Sequence, residues 1–314
     1  MEFELKGMDA KRIFVAIPCY NEAITIGKVV QDFMKVLPSA SIHVFDNNST
    51  DESAFIAVRA GARVHVVRKQ GKGHVLQLVF ELFAKEEVDA VVVVDGDDTY
   101  EASDVPILLQ PVLSGEADMV VGNRMSSASN KSMVTHRQIG NRLIVNFINL
   151  MFGTRYRDIL SGYRVFSPKF VQTVPLLTPG FETETEMTLQ ALEEGMIVQE
   201  FPITYRSRPE DSHSKLNALS DGYRIMLTAA MLLRDHNPLR LFGLFSILFI
   251  FLASLVSILV LVGFENFDQI SLIAIFLSIF MLVILGAFSF GLGLILNAVN
   301  TRFHQLKQVT QRKK

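Results

Sequence analysis

The stretch "DAVVVVDGDDTY", residues 89–100, joins four consecutive valines to a cluster of acids. An unbroken run of β-branched residues is typical of a strand that is buried on both faces of a sheet. Burying a carboxylate is unfavourable by several kcal/mol unless a cation or hydrogen-bond donors pair with it. We therefore predict a buried strand that ends where Asp95, Asp97 and Asp98 emerge into a ligand-binding cleft.

Strands and helices alternate on either side of this stretch. Further apolar runs rich in β-branched residues are RIFVAIP (12–18), SIHVFD (41–46), RVHVV (63–67) and DMVVG (118–122). The segments between them, 23–37, 50–61 and 73–86, have the composition and spacing of helices. Thr50 is an expected N-cap and Gly61 an expected C′ residue. This alternation predicts an α/β, Rossmann-like fold with a mostly parallel sheet and helices on both faces.

Polar residues follow three of the predicted strands. They are Tyr20–Asn21–Glu22, Asp46–Asn47–Asn48 and the acids from Asp95 to Asp98. In parallel sheets, ligands bind beyond the carboxyl ends of the strands. These residues are therefore candidates for one shared site.

The chain from 126 to 235 is less regular, but it has no linker rich in Gly or Ser. Residues 140–153 and 181–195 are predicted helices, the second ending at Gly195. Residues 161–166 and the start of 197–209 are predicted strands, the latter leading into a basic loop. We assign residues 1–216 to a single domain.

Two long apolar runs follow this domain. Residues 241–264 contain no charged side chain, and at about 1.5 Å per residue they span about 36 Å, enough for a hydrocarbon core of about 30 Å. Residues 270–301 form a second uncharged run. We predict a two-helix transmembrane region at 239–301. It is preceded by an interfacial amphipathic helix at 217–238, for which an ordinary domain helix is the alternative.

The charges around these runs predict their orientation. Arg234 and Arg240 precede the first run, the tail 302–314 is basic, and the connecting loop carries only Glu265 and Asp268. The positive-inside rule places the tail and the large N-terminal domain in the cytoplasm. The N-terminus lacks an apolar signal-peptide core, which agrees with this orientation.

Composition bears on the class of protein. The formal net charge of −2 gives no signal for nucleic acid binding. Cys19 is the only cysteine, so no internal disulfide is expected, and we interpret it as a small buried residue rather than a nucleophile.

The spacing of the acids favours a metal site. Asp95 and Asp97 are two residues apart, so strand alternation puts both on one side. Oxygen ligands on one side suit a hard divalent cation such as Mg²⁺ or Mn²⁺. The alternative is that Asp98 and Thr99 cap the next helix while Asp95 lies in solvent.

At this point the chain resembles a family. "VAIPCYNE", "FDNNSTD", "GKG" and "VVDGDD" resemble the GT-A-fold inverting nucleotide-sugar transferases. "VVGNRM", "DILSGYRVF" and "RSRPEDSHSKLNALSDGYRI", followed by two membrane spans, are similar to the polyprenyl-phosphate glycosyltransferases, which include dolichyl-phosphate mannose synthases and bacterial undecaprenyl-phosphate enzymes. The resemblance covers residues 11–236 and implies an integral protein of a bacterial or archaeal membrane.

The resemblance also implies roles for individual residues. It puts Pro18, Tyr20 and Glu22 in the nucleoside pocket, Asp46 on the base, and Asp95 near the ribose and the metal. Asp97 becomes the main metal ligand, and Asp98 a substitute third ligand because Thr99 stands where dolichyl-phosphate mannose synthases have glutamine. The residues implied in phosphate or acceptor binding are Arg124, Ser161, Gly162, Arg206, Arg208, Ser214 and Lys215, with Asn48 included in the donor site.

The implied reaction moves a hexose from a nucleotide-sugar, UDP-sugar favoured over GDP-mannose, to a polyprenyl phosphate with inversion. A divalent metal and basic side chains would stabilise the diphosphate leaving group. The lipid phosphate is already ionised, so no strong general base is required. The rival functions are a processive polysaccharide synthase, transfer to another membrane lipid such as diacylglycerol, and a non-catalytic membrane scaffold.

Three smaller features leave alternatives open. Gly71–Lys72–Gly73 is either a place where Lys72 and the backbone approach a phosphate or a plain strand-to-helix turn. Glu182, Glu184 and Glu186 either solvate the first turn of a helix or orient the sugar. Ala287 and Gly291 permit close helix contact, so a homo-oligomer formed through the membrane helices is an expectation.

Overall fold

The structure is a computed structural model that describes residues 11–125, 135–209, 218–263 and 269–311. The strands are β1 (Ile13–Cys19), β2 (Ser41–Asp46), β3 (Arg63–Val66), β4 (Ala90–Val93), β5 (Met119–Asn123), β6 (Arg164–Phe166) and β7 (Val198–Pro202). The helices are α1 (Ile26–Val36), α2 (Ser53–Arg59), α3 (Lys72–Phe83), α4 (Val105–Leu113), α5 (Thr135–Phe152), α6 (Pro168–Thr173), α7 (Thr183–Glu193), α8 (Ala218–His236), α9 (Pro238–Gly263) and α10 (Gln269–Gln311).

The seven strands form one mostly parallel sheet in the order β3-β2-β1-β4-β6-β5-β7. Only β6 runs antiparallel to its neighbours β4 and β5. The predicted α/β architecture is therefore confirmed, and the strands lie where the β-branched runs predict them. Because β2, β1 and β4 are adjacent, their carboxyl ends meet at one edge of the sheet.

The valine run forms the centre of this sheet. All four residues of β4 are buried, and its side chains alternate between two hydrophobic clusters. Val92 and Val94 pack into the cluster that contains α1 and α4, whereas Val91 and Val93 pack into the cluster that contains α3 and α6. A strand covered on both faces needs apolar residues at every position, which explains the uninterrupted valines.

Glycines end two helices as predicted. Gly61 has a φ of 103° just after α2, and Gly195 has a φ of 66° just after α7. The predicted N-cap of α2 is wrong, because the helix begins at Ser53 rather than beside Thr50. Asp51 instead accepts hydrogen bonds from the backbone N–H and the hydroxyl of Ser53, which turns the chain before the helix starts.

A histidine pair, with His43 buried and His65 half-buried, joins β2 to β3. His43 Nδ1 lies 2.9 Å from His65 Nε2, and His43 Nε2 lies 2.9 Å from the Ser41 hydroxyl. The two imidazole rings stack at 5.2 Å between centroids. Burial, together with smaller effects of the nearby His65 and Arg63, lowers the pKa of His43 to about 4.

We expect this pair to make the domain sensitive to acid. The unfolded chain protonates His43 near its usual pKa of about 6.5, whereas the folded chain keeps it neutral down to about pH 4. Stability contributed by the neutral ring is therefore complete above pH 6.5 and is lost as the pH falls from there towards 4. The midpoint temperature of thermal unfolding, followed by circular dichroism, should fall more steeply between pH 7 and pH 5 for the wild type than for His43→Phe. Equal slopes would contradict this role.

The chain divides into two compact units within α8, at Met1–Thr228 and Ala229–Lys314. The second unit contains the end of α8 and all of α9 and α10, and the last two helices pack against each other. Pro238–Gly263 and Ser271–Arg302 are long and apolar enough to cross a membrane. Only 11% and 6% of the residues in their most apolar stretches are buried. So little burial sets them apart from the core helices of a soluble domain.

The contact between α9 and α10 uses small residues, but not the predicted pair. A Cβ on Gly293 would lie 3.0 Å from that of Phe242, and one on Gly286 would lie 3.2 Å from Ile250 Cδ1. Gly291 has open space around it. The small residues that bring these helices together are therefore Gly286 and Gly293, and self-association through Ala287 and Gly291 stays a prediction.

Candidate active site

The carboxyl ends of β1, β2 and β4 share an uncommon backbone feature. In the described ranges, the non-glycine residues with positive φ are Asn21 (52°), Asn48 (63°) and Asp98 (58°). Each follows one of these three adjacent strands within a few residues. Left-handed backbone at non-glycine positions is uncommon and tends to occur where a protein binds ligands. The structure thus brings together the three polar strand ends that the sequence predicts to share a site.

Asp46 lies at the end of β2, beside Cys19 of β1. Its Oδ2 accepts a hydrogen bond of 3.3 Å from the backbone N–H of Ser49. Its Oδ1 is buried and has no hydrogen-bond partner among the described residues. An unpaired buried carboxylate oxygen is unfavourable, so this atom is suited to accept from a bound N–H group.

Asp97 is buried behind the sheet edge with only 4% of its surface exposed. Its Oδ1 accepts hydrogen bonds from the backbone N–H and the hydroxyl of Thr99, the latter at 2.6 Å. Its Oδ2 pairs with the guanidinium of Arg208. Burial and the neighbouring Asp95 carboxylate raise the pKa of Asp97, and Arg208 opposes that rise. Thr99 therefore orients Asp97, instead of providing the ligand that its position in the motif suggests.

Asp98 is directed to other partners. Its Oδ1 lies 2.6 Å from the Lys28 ammonium and 3.6 Å from the Arg206 guanidinium. Among the described residues, no three His, Cys, Asp or Glu side chains converge as a metal-binding group would. The structure therefore does not join Asp98 to Asp95 and Asp97 as a third ligand. Asp98 does not cap a helix either, since the next helical turn begins at Ala102.

Asp95 belongs to a buried ionic network. Lys72 Nζ donates to Asp95 Oδ1 at 2.5 Å and to Glu184 Oε1 at 2.6 Å. Burial alone would lower the pKa of Lys72, but the two carboxylates raise it. A Cβ on Gly162 would lie 2.3 Å from Asp95 Oδ2 and 2.8 Å from Lys72 Nζ. The glycine thus lets the 161–163 backbone close over this pair.

The glycines beside Lys72 serve packing within the chain. Gly71 has a φ of 128°, and the backbone N–H of Gly73 donates to the Pro179 carbonyl at 2.9 Å. A Cβ on Gly73 would lie 1.9 Å from the Thr178 carbonyl oxygen. Of the two interpretations of the GKG motif, the structure favours the turn, with the close approach made by residues 178–179.

Gly73→Ala should therefore lower the free energy of unfolding of the domain by about 1–3 kcal/mol, as overpacking typically does. Gly222→Ala in α8 is the matched control, because a Cβ there meets nothing within 4 Å and alanine favours a helix. Urea unfolding followed by circular dichroism compares the two variants. Equal midpoints would show that the 178–179 backbone yields easily.

The basic loop after β7 reaches the acidic strand ends. Residue Tyr205 forms a β-bridge with Tyr100, and the backbone N–H of Arg206 donates to the Thr99 carbonyl at 2.8 Å. Arg206 pairs with Glu101, and Arg208 Nη1 lies 3.7 Å from Glu22 Oε1 in addition to its contact with Asp97. The predicted neighbourhood of basic loop and acidic cluster is thus present. Ser214 and Lys215 lie outside the described residues.

Three residues expected to contact phosphate or acceptor have partners within the domain. Arg124 forms a two-pronged ion pair with buried Asp158, at 2.7 and 2.8 Å, so its charge is neutralised inside the domain, and its contact with phosphate stays a prediction. Ser161 is fully buried, and its hydroxyl accepts from the Tyr163 backbone. The backbone N–H of Gly162 donates to the Tyr100 hydroxyl at 3.0 Å. The contacts of these three residues are therefore with other parts of the domain.

The three acids at the start of α7 are buried, so the interpretation that they solvate a helix terminus is wrong. Glu186 accepts hydrogen bonds from the backbone N–H groups of Leu177 and Thr178, and Glu184 pairs with Lys72. Glu182 accepts from the Gly180 N–H at 3.2 Å. Each carboxylate therefore stabilises the 177–180 loop or the Lys72 network.

Sequence reasoning missed Arg164, a fully buried arginine in β6. It donates to the carbonyls of Ile159 and Ser161 and to the Thr188 hydroxyl. Burial lowers its pKa to about 10. The sequence offers no signal for this role, because an arginine between apolar strand residues is usually expected on the solvent face.

Cys19 is buried as predicted, and the nucleoside contacts expected of the remaining donor-site residues stay predictions. Cys19 is buried, and burial raises its pKa to about 12, which makes it a poor nucleophile. Pro18 and Tyr20 are half-buried on either side of it, Glu22 is buried, and Asn48 is exposed.

Known proteins resemble the chain in sequence and in fold. The profile described as "Glycosyl transferase family 2" matches residues 14–171, half of the chain. The chain is 35% identical to glycosyltransferase AglJ of Haloferax volcanii over 74% of this chain and 75% of that protein. It is 26% identical to undecaprenyl-phosphate mannosyltransferase of Micrococcus luteus over 66% of this chain and 88% of that protein.

A solved structure shows the same fold. Glucosyl-3-phosphoglycerate synthase from Mycobacterium tuberculosis, in complex with Mn²⁺, UDP-glucose and phosphoglyceric acid, superposes with a TM-score of 0.54. The superposition covers 73% of this chain and 81% of that one, at 22% identity. Together with the relatives named for polyprenol and undecaprenyl phosphate, these matches confirm the resemblance inferred from the motifs. The chain belongs to glycosyl transferase family 2.

Proposed function

We propose that this glycosyltransferase moves a hexose from a nucleotide-sugar to a polyprenyl phosphate at the cytoplasmic face of a membrane, with inversion at the anomeric carbon. The observation that carries the proposal is the acidic edge formed by Asp46, Asp95 and Asp97, with Arg206 and Arg208 laid against it. Relatives named for polyprenol and undecaprenyl phosphate support the acceptor, and the helices α9 and α10 support membrane attachment.

The nucleoside would lie at the ends of β1 and β2. The open Oδ1 of Asp46 is buried and can accept an N–H from uracil or guanine. Pro18 and Tyr20 are half-buried beside it and offer apolar surface to the base and ribose. Because Asp46 can accept from either base, it does not by itself determine the donor, and we favour a UDP-sugar over GDP-mannose.

Asp95 and Asp97 fit a hard divalent cation, Mg²⁺ or Mn²⁺. The Asp95 carboxylate disfavours ionisation of Asp97, and Thr99 holds Asp97 in one orientation. Asp97 would bind the cation, Asp95 would assist, and the diphosphate of the donor would provide further oxygen ligands. Such a cation would stabilise the negative charge that develops on the leaving nucleotide.

The basic loop supplies the matching charge for the diphosphate. Arg206 and Arg208 pair with acids in the structure, and both retain partly exposed side chains. A cation bound to the Asp97 carboxylate would free Arg208 to contact phosphate oxygens. Bidentate guanidinium groups suit this task.

The bond changes need no base. An oxygen of the lipid phosphate attacks the anomeric carbon, and the bond from that carbon to the diphosphate oxygen breaks with its electron pair. The nucleophile is already an anion at neutral pH. Glu184 and Glu186 are held by Lys72 and by backbone N–H groups, so neither is poised to take a proton from a neutral hydroxyl. This placement favours a phosphate acceptor over diacylglycerol.

The test uses the full chain purified in detergent. Radiolabelled UDP- and GDP-sugars are offered with Mn²⁺ or Mg²⁺ and with undecaprenyl phosphate, dolichyl phosphate or diacylglycerol. We expect label in the organic phase only with a polyprenyl phosphate and only in the presence of the metal. Transfer to diacylglycerol would replace the proposed acceptor. Absence of transfer with every donor, together with absence of metal-dependent binding of UDP or GDP in calorimetry, would support a scaffold.

A further inference from the structure

The outer face of α5 is apolar although it faces solvent. Leu143 is 66% exposed and Leu150 is 74% exposed, and Phe147 between them is half-buried. These positions recur at i, i+4 and i+7, so they form one stripe along the helix. The opposite side of α5 is apolar too, with Ile148 and Met151 buried in the domain.

A helix with two apolar faces needs two apolar surroundings. The domain covers the face that contains Ile148, but nothing in the described ranges buries Leu143 or Leu150. Isolated exposed leucines are common on protein surfaces, whereas a continuous stripe marks an interaction site.

The chain segment that carries this stripe has charge of one sign, although Glu200 of β7 accepts the backbone N–H of Arg157 beside it. Between Asp118 and Asp158 the chain contains no acidic residue and six lysines or arginines. Of these, Arg142 on α5 and Arg155 and Arg157 just after it are exposed, whereas Arg124 is neutralised by Asp158. Exposed leucines and a phenylalanine flanked by arginines form the pattern of a helix that lies in the surface of an anionic bilayer.

We propose that the stripe of Leu143, Phe147 and Leu150 lies in the interfacial layer of an anionic lipid bilayer, with Arg142 and Arg155 on lipid phosphates. The proposal rests on the membrane attachment in the proposed function. It adds a second attachment that belongs to the catalytic domain itself, in addition to α9 and α10. Leucine and phenylalanine enter the acyl boundary, and the guanidinium groups stay among the headgroups.

The test places spin labels on the full chain in lipid nanodiscs. Cys19 is first replaced by alanine, since it is the only cysteine and is buried. Single cysteines are then introduced as Leu143→Cys, Leu150→Cys and Val58→Cys. Val58 on α2 is the matched control, because it is 58% exposed and its helix follows the exposed acids Asp51 and Glu52.

Accessibility to dissolved oxygen and to an aqueous nickel chelate is then measured for each label. In discs that contain phosphatidylglycerol, we expect a several-fold higher ratio of oxygen to nickel accessibility at 143 and 150 than at 58. The ratio should fall in pure phosphatidylcholine and after Arg142→Gln with Arg155→Gln. Nickel accessibility equal to that at 58 would overturn the proposal. Labels shielded from both reagents would overturn it as well, because they would indicate a protein partner or a second copy.

A fourth label separates this inference from the proposed function. Leu259→Cys lies in α9 at a position that is 62% exposed. If this label is lipid-buried while 143 and 150 are in water, only the α5 proposal fails. If all of them are in water, the membrane attachment in the proposed function fails. Sugar transfer, assayed on the same preparations, tests the chemistry separately.

Discussion

Asp97→Asn is expected to lower sugar transfer by about 10²- to 10³-fold or more, the loss typical of removing a preorganised group that stabilises charge in a transition state. The asparagine keeps the shape of the side chain and its contact with Thr99, but it removes the charge that would hold a divalent cation. Manganese binding, followed by the electron paramagnetic resonance of free Mn²⁺ in the presence of nucleotide, should weaken in parallel. Circular dichroism reports whether the fold is retained.

Asp98→Asn is the matched control for this variant. Asp98 has left-handed backbone, which asparagine adopts readily, and its carboxylate pairs with Lys28 and Arg206 near solvent. Partly exposed ion pairs contribute up to about 1 kcal/mol, so transfer should fall by less than about fivefold. An equal loss in both variants would restore Asp98 as a ligand, and retained transfer in Asp97→Asn would remove the metal assignment.

Lys72→Met should cause the largest loss of stability among single substitutions at the site. Lys72 is the shared partner of Asp95 and Glu184, and both contacts are 2.6 Å or shorter. Removing one member of a buried ionic group costs about 3–5 kcal/mol, because the remaining charges stay buried without a partner. Urea unfolding of the detergent-purified chain measures the change.

Two further variants make this prediction sharp. Lys85→Met removes an exposed pair with Glu81 at the end of the same helix and should cost less than about 1 kcal/mol. Adding Glu184→Gln to Lys72→Met should recover part of the loss, since the second change removes one of the unpaired charges. If Lys72→Met is no more destabilising than Lys85→Met, the network does not hold the site together.

The strands and their order of appearance follow from local sequence. Val91 to Val94 are buried on both sides, and only an apolar β-branched run satisfies that environment. The clustering of Asp46 and Asp97 follows as well, because parallel strands bring their carboxyl ends to one edge. These parts could be predicted because each depends on neighbours in the chain or on a general rule of sheet topology.

The ionic contacts behind the site could not be predicted in the same way. Lys72 and Glu184 are 112 residues apart, and no local pattern links them. The run of acids in α7 has the composition of a solvated helix terminus, yet tertiary contacts bury it. Thr99 likewise acts through a hydrogen bond to Asp97 that depends on the backbone turn after β4. Such roles require the folded chain.

The place of β6 in the sheet has a consequence for synthesis on the ribosome. β1 to β4 are contiguous in the chain and can pair as soon as residue 93 has emerged. The other side of β4 then stays uncovered until β6, some seventy residues later, inserts between β4 and β5. A nascent chain therefore carries an open, valine-rich strand edge during that interval. The candidate site is completed only afterwards, when Glu184 reaches Lys72. A chain truncated before α7 therefore has the strand-end acids without the contacts that hold them in place.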